Sequence, residues 1–269
     1  MAEQFIGLNN VPLQMRGMVA DGMWQMLKKQ GFDITQLDRL KGMLDIWAHR
    51  RKAVLQPLQQ VKDDLFWPDL EHDTAWFDNS LFPISADMEA AYPELLEELK
   101  MLQGRNMFAH YGAAKPGDPA LAGNPIGWKQ FSLLEGSNIF HKKNCELAPV
   151  AARIAQLAIE KNAAVLQVSY LTLGPGDVLA PHVDIGNFLT SCHLGLEVPE
   201  NCALKVGSEE RPWINGKCIT FNNSYIHSAY NRSNVVRYTF IVHALHPDLT
   251  PVEKQAVKFL ITTVAKGGF

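Results

Sequence analysis

No CxxC pair occurs in this sequence: its four cysteines, Cys145, Cys192, Cys202 and Cys218, stand apart. That spacing offers neither a zinc ligand set nor a disulfide framework, and three of the four fall in strand-like stretches, which suits reduced core thiols. A basic excess is missing too. The 25 Lys and Arg against 28 Asp and Glu leave a formal net charge of -3, so the electrostatic footprint of a nucleic-acid binder is absent. No apolar run reaches the length of a membrane span. The opening stretch, MAEQFIGLNNVPLQMRG, lacks both the basic and apolar blocks of a signal peptide and the Arg/Ser-rich character of a transit peptide. The expectation is a soluble, cytoplasmic protein with neither nucleic acid nor membrane as a partner.

What the chain does have is apolar content, 47% of 269 residues, enough for a substantial core. Residues 12–62 carry helical spacing, broken at Gly31, with DITQ offering a capped restart at Asp33 or Thr35. Met18, Met23, Met26, Met43 and Trp47 in this region read as a packing face, and a homodimer through these helices is a possible use of it. The aromatic and proline-rich stretch 66–83 reads as an irregular lead into the main domain. A helix follows in SADMEAAYPELLEELKML, with Ser85 as the expected N-cap. Residues 112–127 form a Gly/Pro loop, and a further helix ends near Asn162.

From residue 163 the periodicity changes from 3.6 to 2. AAVLQVSYLTL, TSCHLGLEV, CALKVG, KCITFNN, IHSAYN and VVRYTFIVHAL read as short strands separated by Gly, Asn and Pro turns. That pattern predicts an antiparallel sandwich or barrel with helices packed around it.

Within the strands, the stretch APHVDIGN places His182 and Asp184 two apart, so that period-two geometry sends both to one face. A second H-x-D triplet, His246-Pro247-Asp248, sits in a turn-like tail, so the triplet alone decides little. Downstream of the first lie His227 and then Arg237. Two imidazoles and one carboxylate make up the facial triad that leaves open positions on non-haem Fe(II), and a buried arginine offers a bidentate partner for a keto-acid co-substrate's far carboxylate. Spacing alone leaves open that His182 and His227 are hydrogen-bonded sheet histidines and Arg237 a surface charge.

The segments WFDNSLFP, GWKQF, GPGDVLAPHVDIGN, HLGLEVPENCALKVG and WINGKCITFNNSYIHSAYNRSNVVRYTFIVHALHPDLTP, in that order over roughly residues 66–251, resemble the aspartyl/asparaginyl β-hydroxylase family. The resemblance implies a mainly β core, a double-stranded β-helix or cupin-like jelly roll with flanking helices. It also implies oxidative decarboxylation of the co-substrate 2-oxoglutarate, with Fe(II) and O2, coupled to hydroxylation. His182 and His227 then match the iron ligands, Arg237 the arginine for the distal 2-oxoglutarate carboxylate, and His193 and Trp128 residues of the co-substrate pocket.

Three departures stand out. Asp184 supplies a carboxylate where members acting on aspartyl residues can have glycine. Ser191 stands where the family often has an arginine two before the HLGL histidine, and Leu171 where a serine is implied. Losing the arginine removes a charge-assisted hydrogen bond of about 1.5–3 kcal/mol, so the substrate need not be an aspartyl peptide. Lys129, Arg211 and Arg232 are candidate replacement cations, each also readable as a solvated surface charge; Asn222, Asn223 and Ser224 flank the second histidine.

The expected organisation is a helical region over 1–65, the β-helix domain over 66–250 and a C-terminal helix or tail over 251–269. The expected function is an Fe(II)- and 2-oxoglutarate-dependent dioxygenase hydroxylating an amino acid, peptide or related small metabolite. Desaturation by the same ligands and a non-enzymatic cupin-like binding module are the alternatives.

Overall fold

The computed structural model describes residues 8, 10–111, 119–123, 125–136, 139–162, 165–184 and 186–265. Half of the loop expected over 112–127, residues 112–118 and 124, therefore lies outside the described residues.

Seven helices are described: α1 (Leu13–Lys29), α2 (Asp38–Trp47), α3 (Pro83–Ala90), α4 (Tyr92–Gly104), α5 (Lys142–Leu147), α6 (Pro149–Asn162) and α7 (Pro251–Ala265). The strands are β1 (Trp76–Phe77), β2 (Ala109–His110), β3 (Lys129–Glu135), β4 (Ile139–Phe140), β5 (Val165–Leu173) and β6 (Val178–His182), followed by β7 (Leu189–Glu197), β8 (Cys202–Val206), β9 (Glu209–Pro212), β10 (Cys218–Asn222), β11 (His227–Asn231) and β12 (Arg237–Leu245). Among the described residues, no helix is long and apolar enough to cross a membrane.

The strands form two antiparallel sheets. The larger runs β1-β10-β7-β12-β5-β3-β2 with β4 beside β3, and the smaller runs β6-β11-β8-β9. This is the double-stranded β-helix that the resemblance implies. Alternation decides what each face of the large sheet does. Cys192, Leu194 and Leu196 of β7 and Phe240, Val242 and Ala244 of β12 pack with Leu95, Leu99 and Ile154 of α4 and α6 in one core. Period two turns the intervening residues, Ser191 and His193 on β7 and Arg237, Thr239, Ile241 and His243 on β12, to the barrel interior.

Glu98 fastens α4 and α6 to this sheet. Its buried carboxylate accepts from the backbone N–H groups of Val150 and Ala151 at the start of α6, at 2.8 and 3.0 Å, and from the Tyr170 hydroxyl of β5 at 2.6 Å. Free helical N–H groups and the helix dipole both favour a carboxylate there.

A second core joins α1 and α2 to α7 and to the rim of the large sheet, through Met23, Leu27, Leu40, Met43 and Trp47 against Leu189, Leu245, Val257 and Leu260. Met18 is instead 66% exposed, together with Leu13 and Met15.

Three local expectations are corrected. Helical spacing runs to residue 62, but α2 stops at Trp47 because His49 takes a left-handed backbone (φ 56°). Arg50 N then donates to Asp45 O at 2.8 Å, a C-terminal cap that usually signals itself with glycine. Ser85 lies inside α3 rather than capping it: Phe82 takes that place, and the Ser85 hydroxyl donates to the carbonyls of Asn79 and Phe82. The expected single helix is two, α3 and α4, with Pro93 in the first turn of the second.

Candidate metal and co-substrate site

His182 ends β6 and His227 begins β11, and the two pair directly across the small sheet. Each ring is oriented the same way: His182 Nδ1 donates to Ala180 O at 2.7 Å and His227 Nδ1 to Tyr225 O at 2.9 Å. A carbonyl only accepts, so the proton sits on Nδ1 and the Nε2 lone pair is left for a metal. Asp184 N donates to Asn223 O at 2.9 Å, which fixes the aspartate against the turn leading into β11. His182, Asp184 and His227 each offer a ligand atom, all within 4.8 Å of one another. His227 is buried, while the Asp184 side chain stays 37% exposed and opens the cluster outward.

Gly186, two residues on, has φ 63°, and a Cβ there would meet the Phe188 ring at 2.2 Å. Only glycine fits both the turn and the close approach. Asn187, fully buried, then exchanges two hydrogen bonds with the backbone of Trp67, so the chain leaving the cluster is pinned to the segment before β1.

Electrostatics suit metal binding. The surrounding barrel pushes the Asp184 carboxyl up, but the fields of His227, His182, His243 and Lys62 outweigh this and hold it below the usual carboxylate range. Burial, reinforced by His182, brings His227 down to about 4 against the pull of Asp184. At neutral pH the set is one carboxylate and a neutral imidazole donor on His227, chemistry that fits Fe(II) with open positions.

From His227 a line of rings leads into the barrel. Phe221 lies 5.3 Å from His227, His193 lies 5.2 Å from Phe221, and Trp213 stacks on His193 at 6.2 Å between centroids. The Arg237 guanidinium sits 4.6 Å over Trp213. Arg237 is 2% exposed. Its Nη1 donates to Thr239 Oγ1 at 2.6 Å, and its Nε has no partner. Burial lowers its pKa to about 10. A buried cation with no carboxylate partner among the described residues is suited to an incoming anion.

The other singled-out residues fall in distinct places. His193 faces the interior with Nδ1 unpaired, and burial holds it well below the usual imidazole range. Ser191 gives its hydroxyl to Asn223 Oδ1 at 2.6 Å. Trp128 stacks on Tyr111 at 4.2 Å and packs against the cluster of Leu173 and Trp213, at the Arg237 end. Asn222 closes its turn by accepting from Ser224 N and Oγ. Arg211 lies over Trp76 and pairs with Glu209, and Arg232 lies over Tyr230. The second H-x-D triplet is a clasp: Asp248 holds His72 through both its backbone N–H and Nδ1 at 2.7 Å, and His246 Nδ1 accepts from Asp248 N.

Sequence reasoning passed over Trp213 and His243. His243 carried a signal, since 237, 239, 241 and 243 share one face of β12. It lies opposite Ser191 and Gln167, and burial brings it to about 4.

Linkage gives an acid limit. His227, His243 and His246 all lie near 4 in the fold, below the ordinary 6.5 of an unfolded chain. The unfolded state alone takes up these protons, so metal-free stability is complete above about pH 6.5 and falls as pH drops toward 4. Thermal midpoints followed down that window should decline steadily; a flat profile would contradict it.

The model of the aspartyl/asparaginyl beta-hydroxylase family matches residues 89–247, more than half of the chain. Aspartate beta-hydroxylase domain-containing protein 2 of Homo sapiens is 30% identical over 154 residues, which cover 51% of this chain and 41% of that protein. Aspartyl/asparaginyl beta-hydroxylase of Mus musculus is 30% identical over 132 residues, 48% of this chain and 18% of that protein. The chain thus spans less than half the length of these curated relatives. Among solved structures, a Pseudomonas putida prolyl-4-hydroxylase aligns with 64% of this chain and 92% of its own, at 15% identity and a TM-score of 0.39.

Proposed function

The chain belongs to the aspartyl/asparaginyl beta-hydroxylase family, and from that premise we propose that it is an Fe(II)- and 2-oxoglutarate-dependent dioxygenase hydroxylating an unactivated C–H bond of an amino acid, a peptide or a related small metabolite. The observation that carries this reading is the convergence of His182, Asp184 and His227 within 4.8 Å.

The two histidines would hold the metal through Nε2 and Asp184 through a carboxylate oxygen. Bound iron, with 2-oxoglutarate and O2, supplies the oxidising power to break a C–H bond. The protein's own contribution is placement and exclusion. Arg237 offers its unspent donors to the distal carboxylate of 2-oxoglutarate, with Trp213 beneath its plane to fix the fork. His193 and Phe221 line the way between this arginine and His227, and their packing keeps water from the wall. Asn223 steadies the backbone of Asp184 and spends the hydroxyl of Ser191, so the corner where the resemblance implies an arginine carries no charge.

The test is product mass with isotopic O2 and excess chloride, in the presence of candidate amino acids and peptides. One labelled oxygen in the product and succinate in equal amount are expected. Because Asp184 occupies the ligand position that a halide would need, chloride should leave the product unchanged; a chlorinated product would overturn the assignment.

A further inference from the structure

The strap between α2 and β1 precedes the stretch matched by the family, residues 89–247, yet it grips the turn that leads into the second histidine. Gln60 N donates to Ser224 O at 2.8 Å and Ile226 N donates to Leu58 O at 2.9 Å, an antiparallel bridge between Gln59 and Tyr225. The same turn serves the candidate metal site. Asn223 O accepts from Asp184 N at 2.9 Å, and Tyr225 O accepts from His227 Nδ1 at 2.9 Å. Successive carbonyls of 223, 224 and 225 thus hold one ligand, the strap and another ligand.

Gln59 is buried, and both ends of its amide are used. Nε2 donates to Ser224 Oγ at 3.0 Å and to Asp73 Oδ1 at 2.7 Å, while Oε1 accepts from Gln56 N at 3.0 Å. A backbone N–H only donates, so the amide oxygen must face Gln56 and the amide nitrogen the turn. Asp73 closes the far side of the turn. Its carbonyl accepts from the Tyr225 hydroxyl at 2.8 Å, its Oδ1 lies 3.3 Å from Asn222 Nδ2, and Ala75 O accepts from Asn222 N at 3.0 Å. Gln59 is therefore the side chain that joins the two walls between which the turn is held. The strap is strained beside it: Leu58 takes a left-handed backbone (φ 65°) with its side chain exposed. Side-chain burial does not hold it there, whereas the bonds at Leu58 O and from Gln59 N to Gln56 O, 3.1 Å, do. A bulky residue keeps such a conformation only where its surroundings over-determine it.

Building on the metal-site reading, we propose that Gln59 is a positioning residue for the His182–Asp184–His227 cluster: by tying Ser224 to Asp73 it fixes where the turn presents the Asn223 and Tyr225 carbonyls, and so where Asp184 and the His227 ring stand. Ligands must be held within about 0.5 Å and 10–20° of their working geometry, so a turn that shifts on that scale detunes two of the three donors together. Groups that orient metal ligands are worth about 10–100-fold in metal affinity. The strap then belongs to the metal centre, although the stretch matched by the family begins after it.

The experiment titrates the full metal-free chain with Co(II), whose visible absorption bands report donor geometry without any turnover. The unaltered protein should bind the ion; no binding would sink the metal reading and the inference with it. Gln59→Met keeps most of the volume and loses the amide, and it should bind Co(II) at least about tenfold more weakly, with displaced bands. Gln59→Asn keeps an amide one methylene too short to span Ser224 and Asp73, and should change affinity and bands in the same direction; it decides the matter if circular dichroism shows Gln59→Met unfolded. Glu98→Gln, at the remote junction of α4 and α6, controls for general loss of stability. It should lower the thermal midpoint and leave Co(II) affinity and bands as they are in the unaltered protein. Folded Gln59 variants with unchanged affinity and bands overturn the inference while leaving the metal reading standing. An equal loss in Glu98→Gln overturns it too, because the effect would then follow stability and not the turn.

Discussion

Replacing His227 with alanine should reduce succinate formation from 2-oxoglutarate by on the order of a thousandfold or more, because a ligand worth several kcal/mol is lost and each 1.36 kcal/mol is a factor of ten. The ring is 5% exposed, its tautomer is set by Tyr225 O, and burial keeps it neutral. Its burial leaves little room for water to enter as a substitute ligand of equal strength. His182→Ala should behave alike, while Asp184→Gly should be milder, since the aspartate is the exposed corner where water can take its place. Iron content after dialysis and succinate yield are the measurements, with circular dichroism as the check on folding. Near wild-type succinate production from either histidine variant in the presence of substrate would show that the metal is held elsewhere.

The second large effect is expected at Arg237. Loss of a buried partner of a carboxylate costs on the order of 2–5 kcal/mol, so Arg237→Met should weaken 2-oxoglutarate binding by about 30-fold to a few thousand-fold. Methionine keeps much of the volume under which Trp213 packs. The ligand-free fold should not suffer, because burial already works against the guanidinium's charge, as its lowered pKa of about 10 records. An arginine that served the fold alone would behave in the opposite way, with a lower thermal midpoint and unchanged 2-oxoglutarate affinity. Unchanged affinity would move the carboxylate site away from β12.

Much of the barrel can be read directly from the sequence between residues 165 and 245, where β-branched and aromatic residues alternate with polar ones and Gly, Asn and Pro mark each turn. β6 escapes such a reading because VLAPH is short and interrupted by Pro181. The end of α2 escapes it because a histidine, not a glycine, takes the left-handed cap. In the site, His182 and Asp184 are two apart in sequence, though Asp184 lies just past the end of β6, and the sequence separation of His227 is bridged by the β6–β11 pairing and by the Asp184 N to Asn223 O hydrogen bond. Trp213 is harder still. It sits in an irregular stretch, and its relation to Arg237 arises from a long-range contact that no local pattern encodes.

Among the described strands, the small sheet ends in two edge rails, β6 on one side and β9 on the other. Each carries a proline, Pro181 and Pro212, which has no N–H to give a neighbouring strand, and β9 adds the charged run Glu209, Glu210 and Arg211. A strand from another chain would find missing donors on both rails and charged side chains on one. The rail nearest the candidate metal site is therefore blunted against amyloid-like zippering by the residue immediately before His182, so a solubility safeguard and a proposed metal ligand occupy adjacent positions in the chain.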